Sequence, residues 1–249
     1  MHKLVLLRHG ESQWNLENRF TGWTDVGLTL KGKNEAKASG KILKTNNFKF
    51  DRVYISLLKR ARDTMELCLK EMSLKNINIQ SSWRLNERHY GDLQGLNKLQ
   101  TAKKYGDEQV KIWRRSYEIA PPPLNIEDKR HPRFNDKYQN LKSSDIPNSE
   151  SLKDTVKRVM PLWNKSIGPN IQLNKKVLIV AHGNSLRALV KYLDSLTDKE
   201  IVKINIPTGI PLVYLLDTKL KPIRNYYIGD EKEINKKTSD IISQGKSKY

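Results

Sequence analysis

Residues 175–184 read Lys-Lys-Val-Leu-Ile-Val-Ala-His-Gly-Asn. The run from Lys175 to Ala181 is continuous in Val, Leu, Ile and Ala after its two lysines, which is typical of a strand buried on both faces of a parallel sheet. Apolar residues then recur at helical spacing directly behind it, at Leu186, Leu189, Val190 and Leu193. A strand followed at once by a helix predicts an α/β unit, with His182-Gly183-Asn184 at the connection.

The same pattern extends in both directions along the chain. Extended segments are predicted at 3–7, 50–55, 77–85, 212–216 and 223–228. Helical patterns are predicted at 29–44, 58–72, 95–117 (with a break at Gly106-Asp107) and 151–163. This alternation predicts an α/β fold, a three-layer sandwich whose central sheet is mainly parallel and carries helices on both faces.

No internal repeat recurs at a fixed period, so residues 1–249 are predicted to form a single domain. The segment 121–148 is polar with almost no periodicity, which predicts a long loop. The polar segment 229–249 is predicted to be a mobile tail that covers a site during turnover, the alternative being simple terminal disorder.

Charge is the most unusual feature of the composition. The chain has 46 Lys and Arg against 27 Asp and Glu, a net charge of +19. Such a charge favours nucleic acid, anionic membranes or small phosphorylated molecules. Because the lysines are scattered and no aromatic residues are interleaved with them, the excess charge is interpreted as surface composition rather than a nucleic-acid footprint, and no nucleic-acid partner is expected.

The apolar runs and the cysteine content bear on the cellular compartment of the protein. No apolar run is long enough to span a bilayer and no targeting segment is recognisable, so a cytoplasmic protein without membrane contact is predicted. The single cysteine, Cys68, excludes an intrachain disulfide. Its place on the apolar face of a predicted helix indicates a buried, inert thiol.

Two histidines follow two predicted strands. Arg8-His9-Gly10 ends the first strand and His182-Gly183-Asn184 ends the strand at 175–181. Ligands of open α/β sheets bind beyond the carboxyl ends of the strands, so His9 and His182 are expected to meet there. Glycine after each histidine allows close approach of a ligand, and the helix after Asn184 directs its N–H groups toward an anion.

Arginines supply the charge that a phosphoryl group needs. Arg8, Arg60, Arg114 and Arg115 lie near predicted element ends or in loops, and guanidinium forks suit phosphate oxygens. Glu87 follows the third extended segment and is a candidate general acid and base. The alternative for Glu87 is a surface ion pair with Arg88.

Metal and nucleotide sites are not indicated. None of the five histidines has the spacing of a zinc site, and no Gly-rich loop ends in Gly-Lys-Ser/Thr. A metal-free mechanism is therefore predicted, in which arginines and helix ends carry the positive charge.

Longer motifs extend the pattern beyond the two histidines. They are Leu7-Arg8-His9-Gly10-Glu11-Ser12-Gln13-Trp14-Asn15, Phe20-Thr21-Gly22-Trp23, Leu85-Asn86-Glu87-Arg88-His89-Tyr90-Gly91, Gly95-Leu96-Asn97-Lys98, Trp113-Arg114-Arg115-Ser116-Tyr117, Ala181-His182-Gly183-Asn184-Ser185-Leu186-Arg187 and Ile206-Pro207-Thr208-Gly209. The opening motif resembles that of the histidine phosphatase superfamily. The whole chain is similar to the cofactor-dependent phosphoglycerate mutases within it.

This resemblance implies a role for each candidate residue. His9 would carry the phosphoryl group, and Glu87 would be the proton donor and acceptor. His182, with Arg8 and Arg60, would stabilise the transferring group. The substrate pocket implied by the resemblance consists of Arg8, Gly10, Ser12, Asn15, Thr21, Gly22, Arg60, Glu87, Tyr90, Lys98, Arg114, Arg115, Gly183 and Asn184.

The resemblance also implies an activity. Its members interconvert 3-phosphoglycerate and 2-phosphoglycerate in glycolysis and gluconeogenesis, are primed by 2,3-bisphosphoglycerate without a metal, and are commonly cytosolic dimers or tetramers. Ser12 favours the mutase over enzymes that mainly make bisphosphoglycerate. A phosphatase of the same superfamily is the first alternative. The second is a basic nucleic-acid-binding protein, whose binding would weaken steeply with salt and survive loss of His9.

Overall fold

The computed structural model describes residues 1–243, with the backbone alone for residues 242 and 243. Its centre is a six-stranded sheet. The strands are β1 (His2–Arg8), β2 (Arg52–Ile55), β3 (Asn78–Ser81), β4 (Val177–Ala181), β5 (Leu212–Leu216) and β6 (Pro222–Tyr227).

The strand order is β3-β2-β4-β1-β5-β6. The four strands β3, β2, β4 and β1 are mutually parallel, while β5 and β6 add an antiparallel edge. The predicted α/β class with a mainly parallel sheet is therefore confirmed. The parallel strands β2, β4 and β1 lie next to one another in the middle of the sheet. Ser56, His182 and His9 directly follow them, in that order.

Helices and helical turns connect the strands. The α-helices are α1 (Gln13–Leu16), α2 (Leu30–Thr45), α3 (Lys59–Glu71), α4 (Lys98–Tyr105), α5 (Asp107–Arg115), α6 (Leu152–Leu162), α7 (Gly168–Gln172), α8 (Gly183–Leu193), α9 (Asp198–Lys203) and α10 (Glu231–Ser243). A π-helical turn, Trp163–Ile167, joins α6 to α7. Short 3-10 turns occur at Trp83–Leu85, Gly91–Leu93, Pro132–Phe134, Asp136–Tyr138 and Ser143–Asp145.

The two faces of the sheet are covered by different helices, because successive side chains of a strand point to opposite faces. Leu4 and Leu6 of β1 belong to a core shared with α6, α7 and α8. Val5 and Leu7 belong to the other core, which includes side chains of α2 and α3. All four are fully buried. Burial of each contributes about 1.5–3 kcal/mol, so β1 anchors both layers of the sandwich.

The third predicted extended segment is shorter than expected. The prediction covered 77–85, whereas β3 ends at Ser81 and Trp83–Leu85 forms a 3-10 turn. The Ser82 hydroxyl accepts a hydrogen bond of 3.3 Å from the Arg84 N–H, which caps the start of that turn. The turn leads the chain away from the sheet edge and into the loop that carries Glu87.

The segment predicted as a polar tail contains a helix. The Asp230 carboxylate accepts the Glu233 N–H at 2.9 Å at the start of α10. Lys237 of α10 is paired with Glu35 of α2 at 3.1 Å and with Glu233 at 2.9 Å. Residues 244–249, the remainder of the predicted mobile tail, lie outside the described residues.

Two smaller expectations can be compared with the structure. Cys68 is fully buried, and burial raises the pKa of its thiol to about 12, as an inert thiol requires. Helix α9 was not predicted; the Thr197 hydroxyl and the Glu200 carboxylate form a capping box at its start. Among residues 1–243, no helix is long and apolar enough to cross a bilayer.

Candidate active site

The two predicted catalytic histidines meet because β1 and β4 are parallel neighbours. Arg8 of β1 pairs with Ala181 of β4, so His9 and His182 both lie one residue beyond the paired ends. Their ring centroids are 4.9 Å apart with an interplanar angle of 58°. The structure therefore brings together the two strand ends that the sequence singles out.

His9 is held in one orientation. Its Nδ1 lies 2.6 Å from the Gly10 carbonyl oxygen, which can only accept, so Nδ1 carries the proton and Nε2 is left unprotonated. The Arg60 Nε donates to that Nε2 at 3.3 Å. Burial lowers the pKa of His9 well below its ordinary value, and the charges of Arg60 and Arg8 lower it further. The ring is therefore neutral, as a nucleophile must be.

The loop after His9 presses against α2. A Cβ on Gly10 would lie 2.1 Å from the Gly32 carbonyl oxygen, and a Cβ on Gly32 would lie 2.0 Å from the Glu11 carbonyl oxygen. Only glycines permit this approach. The Gly10 N–H also donates to Thr64 Oγ1 at 3.1 Å. Two helices thus define the path of the chain directly behind the nucleophile.

Arg60 is placed by the first turn of α3 and is fully enclosed. Its Nη1 donates to the Thr24 carbonyl oxygen and its Nη2 to the Gly22 carbonyl oxygen, both at 2.9 Å. Burial lowers its pKa to about 10, which leaves it charged at neutral pH. Arg8 donates from Nη1 to the Ile206 carbonyl oxygen at 2.7 Å, and its Nε has no hydrogen-bond partner among the described residues.

His182 has a partner that the sequence did not reveal. The Ser56 hydroxyl lies 2.7 Å from His182 Nε2, and Ser56 directly follows β2. The other ring nitrogen, Nδ1, is buried and has no hydrogen-bond partner among the described residues. Burial lowers the pKa of His182 well below its ordinary value, followed by the charge of Arg60 and by His9. The only sequence signal for Ser56 was its position at a predicted strand end.

Glu87 is oriented by main-chain groups. Its Oε1 accepts the Arg88 N–H at 2.7 Å and the Asn184 N–H at 3.1 Å. The surface ion pair with Arg88 is therefore wrong, because the Arg88 guanidinium lies 4.6 Å from the ring centroid of Tyr90 instead. The N–H groups at the start of α8 were expected to bind an anionic ligand. One of them, the Asn184 N–H, is bonded to the Glu87 carboxylate instead.

Most of the predicted pocket residues line one cavity. The lining residues are Arg8, His9, Asn15, Arg19, Phe20, Thr21, Gly22, Arg60, Glu87, Tyr90, Lys98, Arg114, Arg115, Gly183, Asn184, Arg187, Asn205, Ile206 and Ile241. Of the predicted site residues, Gly10, Ser12 and His182 lie outside this lining. Ser12 is buried and forms a capping box with Asn15 at the start of α1.

Several lining residues were not predicted. Arg187 lies on α8 and is buried; it donates to Asn184 Oδ1 at 2.9 Å and to the Ile201 carbonyl oxygen at 2.6 Å. Asn205 accepts a bond of 2.7 Å from Arg115 Nη1. Their signal in the sequence is weak, since a single arginine on a helix and an asparagine in a loop are ordinary surface residues.

The cavity is strongly cationic. Seven of its described lining side chains are Arg or Lys, and Glu87 is the one acidic side chain among them. Burial lowers the pKa of Lys98 well below its ordinary value, and the charges of Arg114, Arg8 and Arg115 add to this. Burial, followed by the charge of Arg115, lowers the pKa of Arg187 to about 9. An anionic ligand would relieve this crowding of positive charge. Within residues 1–243, no group of three or more His, Cys, Asp or Glu could hold a metal ion.

Comparison with known proteins agrees with this chemistry. The model of the histidine phosphatase superfamily (branch 1) matches residues 4–130 and 124–210. An α-ribazole-5′-P phosphatase structure from Escherichia coli strain K-12 substrain MG1655 is similar, with a TM-score of 0.69 and 21% identity over 92% of this chain and 100% of that chain. A mycobacterial glucosyl-3-phosphoglycerate phosphatase has a TM-score of 0.66 and 23% identity over 91% of this chain and 96% of that one. At such identities the similarity concerns the fold alone.

Proposed function

This chain belongs to branch 1 of the histidine phosphatase superfamily, and from that premise we propose that it interconverts 3-phosphoglycerate and 2-phosphoglycerate through phospho-His9. The observation that carries the proposal is the charge of the cavity: among the described residues, seven cationic side chains and one carboxylate line it together with His9. A substrate with both a phosphate and a carboxylate, and an intermediate with two phosphates, match such a cavity.

The proposed reaction begins with 2,3-bisphosphoglycerate as the primer. The His9 Nε2 lone pair attacks a phosphorus atom, the P–N bond forms and the P–O bond to the glycerate breaks. Glu87, protonated, gives its proton to the departing oxygen. In the productive cycle, phospho-His9 transfers its phosphoryl group to the free hydroxyl of 3-phosphoglycerate, whose proton goes to Glu87. The bound bisphosphoglycerate then returns its other phosphoryl group to His9.

Positive groups around His9 support this transfer. Arg60 donates to the attacking Nε2 in the free enzyme, and the buried Nε of Arg8, which lines the same cavity, has no hydrogen-bond partner within residues 1–243. If the Ser56 hydroxyl donates to His182 Nε2, then His182 Nδ1 carries a proton that a phosphoryl oxygen accepts. When the Nε2 lone pair attacks phosphorus, the Arg60 N–H leaves it and turns to a phosphoryl oxygen, so these donors neutralise charge on the transferring group.

The rest of the cavity supports recognition of the remaining anionic group. Lys98 of α4 and Arg114 and Arg115 of α5 line the same cavity as Arg8 and Arg60, and the two helices contact each other. In the proposal they bind the carboxylate and the phosphate that is not reacting. They would also retain bisphosphoglycerate while it reorients.

Helix α10 is the proposed cover. Ile241 lines the cavity, and the Ile241 carbonyl oxygen accepts a bond of 3.3 Å from Arg115 Nη2. A cover that excludes water favours return of the phosphoryl group to glycerate over hydrolysis. Deletion of residues 231–249 is expected to raise the ratio of phosphate release to isomerisation. An unchanged ratio would remove the tail from this role.

A phosphatase is the second candidate, favoured by the two similar structures named above, both of which are phosphatases by their descriptions. In that reaction water receives the phosphoryl group from His9. The predicted homo-oligomer, dimer or tetramer, and the predicted cytoplasmic location remain predictions.

A product assay with 3-phosphoglycerate, with and without 2,3-bisphosphoglycerate, separates the two candidates. The mutase predicts 2-phosphoglycerate as the main product and a requirement for the primer, and free phosphate as the main product would contradict it. His9→Ala should abolish turnover together with acid-labile phosphate incorporation. Incorporation at full stoichiometry in that variant would refute His9 as the nucleophile.

A further inference from the structure

The loop that carries Glu87 is held from behind by a buried arginine of α6. Arg158 Nη1 donates to the carbonyl oxygens of Trp83 at 3.1 Å and of Arg84 at 2.8 Å. Its Nη2 donates to the carbonyl oxygens of Asn86 at 3.1 Å and of Glu87 at 3.2 Å. One guanidinium therefore satisfies four carbonyl groups in the five residues up to Glu87, most of which the short 3-10 turn would leave without partners.

A carboxylate completes this arrangement on the other side of Glu87. Glu150 Oε1 accepts from Arg158 Nε at 2.6 Å, and its Oε2 accepts from Arg158 Nη2 at 2.9 Å. The same Oε2 accepts the His89 N–H at 2.8 Å, and the Glu150 N–H donates to the His89 carbonyl oxygen at 2.9 Å. The side chains are 5% and 4% exposed, so this bidentate pair is sheltered from solvent. The main chain on both sides of Glu87 is bound to one ion pair.

The orientation of the Glu87 carboxylate depends on that main chain. Glu87 Oε1 is bonded to the N–H of the next residue, Arg88, at 2.7 Å. The Glu87 carbonyl oxygen also accepts from the Trp23 indole at 2.6 Å, and Trp23 lies beside the Arg158 guanidinium, 5.5 Å from ring centroid to Cζ. A rotation of the peptide between Glu87 and Arg88 would change the direction of the carboxylate relative to Asn184.

Stability alone does not account for such a pair. Burying an arginine and a glutamate costs desolvation energy, and apolar replacements of similar volume are often equally stable. An apolar pair in place of Arg158 and Glu150 could neither donate to the four carbonyl groups nor accept the His89 N–H. Neither Arg158 nor Glu150 lines the cavity, so neither is placed to contact a substrate bound there.

We propose that Arg158 and Glu150 are positioning residues that aim the Glu87 carboxylate at the oxygen that leaves or attacks the phosphoryl group. This inference rests on the proposed function, in which Glu87 is the general acid and base. Misplacement of a catalytic group by about 1 Å costs on the order of a hundredfold in rate. The effect should appear only in steps that require proton transfer.

Two phosphoryl donors isolate those steps. Bisphosphoglycerate releases an alkoxide that must be protonated, whereas p-nitrophenyl phosphate releases a stable phenolate that needs no general acid. Histidine phosphorylation from bisphosphoglycerate and the first-turnover burst of p-nitrophenolate, which reports His9 phosphorylation by p-nitrophenyl phosphate before water attacks, are measured for the wild type and for Glu87→Gln, Arg158→Lys and Glu150→Gln. Lys157→Gln, on the exposed side of the same helix, is the matched control.

Arg158→Lys keeps the positive charge but loses the planar guanidinium with its several N–H donors. Glu150→Gln keeps the shape of the side chain but loses its negative charge. Each is expected to lower transfer from bisphosphoglycerate about a hundredfold, as is expected for Glu87→Gln, while the burst rate of p-nitrophenolate release changes less than about threefold. Lys157→Gln is expected to match the wild type with both donors. If Arg158→Lys does not fold, Glu150→Gln alone tests the positioning inference.

The outcomes separate the two proposals. If Glu87→Gln affects both donors equally or neither, the acid–base role of Glu87 in the proposed function fails. If Glu87→Gln discriminates between the donors but Arg158→Lys and Glu150→Gln lower both equally, the pair is structural and the positioning inference is overturned. It is also overturned if both variants behave as the wild type.

Discussion

The backbone N–H of His9 donates a hydrogen bond of 3.0 Å to the carbonyl oxygen of Ala181. This bond continues the ladder between β1 and β4 by one residue, so the nucleophile is attached directly to the sheet rather than to a free loop. Because Ala181 precedes His182, the same bond sets the distance between the two histidine rings. The precision of the site therefore derives from the register of two parallel strands.

His9 should remain an active nucleophile in mildly acidic solution. Burial and the charges of Arg60 and Arg8 lower its pKa, so protonation should reduce phosphorylation only below the ordinary range for histidine. Removing the charge in Arg60→Gln favours the imidazolium and is expected to move the acid limb of the rate profile to higher pH. Rapid-quench measurement of phospho-His9 against pH tests this. Arg62→Gln, on the exposed side of α3, is the control, and a limb that does not move would contradict the prediction.

Ser56→Ala should impair catalysis more than stability. It removes the 2.7 Å bond to His182 Nε2 and the 3.2 Å bond that the hydroxyl accepts from the Leu58 N–H, which together cost about 1–3 kcal/mol of unfolding free energy. Turnover is expected to fall about tenfold to a hundredfold, because His182 loses the partner that fixes its orientation. Ser166→Ala, which removes a hydroxyl bonded to Tyr54 outside the cavity, is the stability-matched control. Equal turnover in the two variants would rule out this role for Ser56.

Binding of a polyanion should be accompanied by proton uptake at Lys98. Burial and three neighbouring arginines lower the pKa of Lys98 in the empty cavity, and an anionic ligand opposes those charges and raises it. The bound state then holds more protons, so affinity for 3-phosphoglycerate is expected to increase as pH falls. Calorimetry in buffers of different ionisation enthalpy measures the uptake. It should decrease in Lys98→Met and persist in Lys103→Met on the exposed face of α4; equal uptake in both would contradict the assignment.

The fold should lose stability in acid through His89. Burial, aided by the charges of His131 and Arg158, lowers its pKa to about 3, against an ordinary value of 6.5. The unfolded chain takes up the proton as pH falls through 6.5 while the folded chain does not, so stability is full above 6.5 and decreases toward pH 3. The loss is at most about 1.4 kcal/mol per pH unit for this group.

Urea denaturation between these pH values measures that slope. His89→Gln is expected to unfold with a shallower pH dependence than the wild type, whatever its stability at neutral pH. His2→Gln, at the partly exposed start of β1, should leave the slope unchanged. An identical slope in His89→Gln and the wild type would exclude His89 as the source.

Gly32→Ala should disturb the nucleophile from outside the cavity. The new methyl group would lie 2.0 Å from the Glu11 carbonyl oxygen, so α2 or the loop after His9 must move. Such overpacking costs about 1–3 kcal/mol of unfolding free energy, and phosphate incorporation into His9 is expected to fall with it. Gly27→Ala, whose nearest neighbour would be Lys59 Cε at 3.9 Å, is the control. Normal stability and incorporation in Gly32→Ala would contradict the close approach.

The sequence by itself indicated the sheet strands, most of the long helices and the candidate residues of the site, whereas α9, α10 and the end of β3 were not predicted. A run such as Val177–Ala181 is apolar at every position because both of its faces are covered, and this property is local and readable. The same holds for the helix behind His182. Because a parallel sheet gathers the carboxyl ends of its strands at one edge, His9 and His182 could be predicted to meet.

Only the tertiary structure decided which groups orient those residues. Ser56 and His182 are 126 positions apart, and Arg158 reaches the Glu87 carbonyl oxygen across 71 positions. The pattern around Arg158 is that of an ordinary amphipathic helix, and nothing local distinguishes a buried, bonded arginine from a solvated one. Such contacts arise from the register of the strands and the path of the loops between them. The candidate catalytic residues could therefore be predicted from the sequence, while the groups that orient them were decided by the packing.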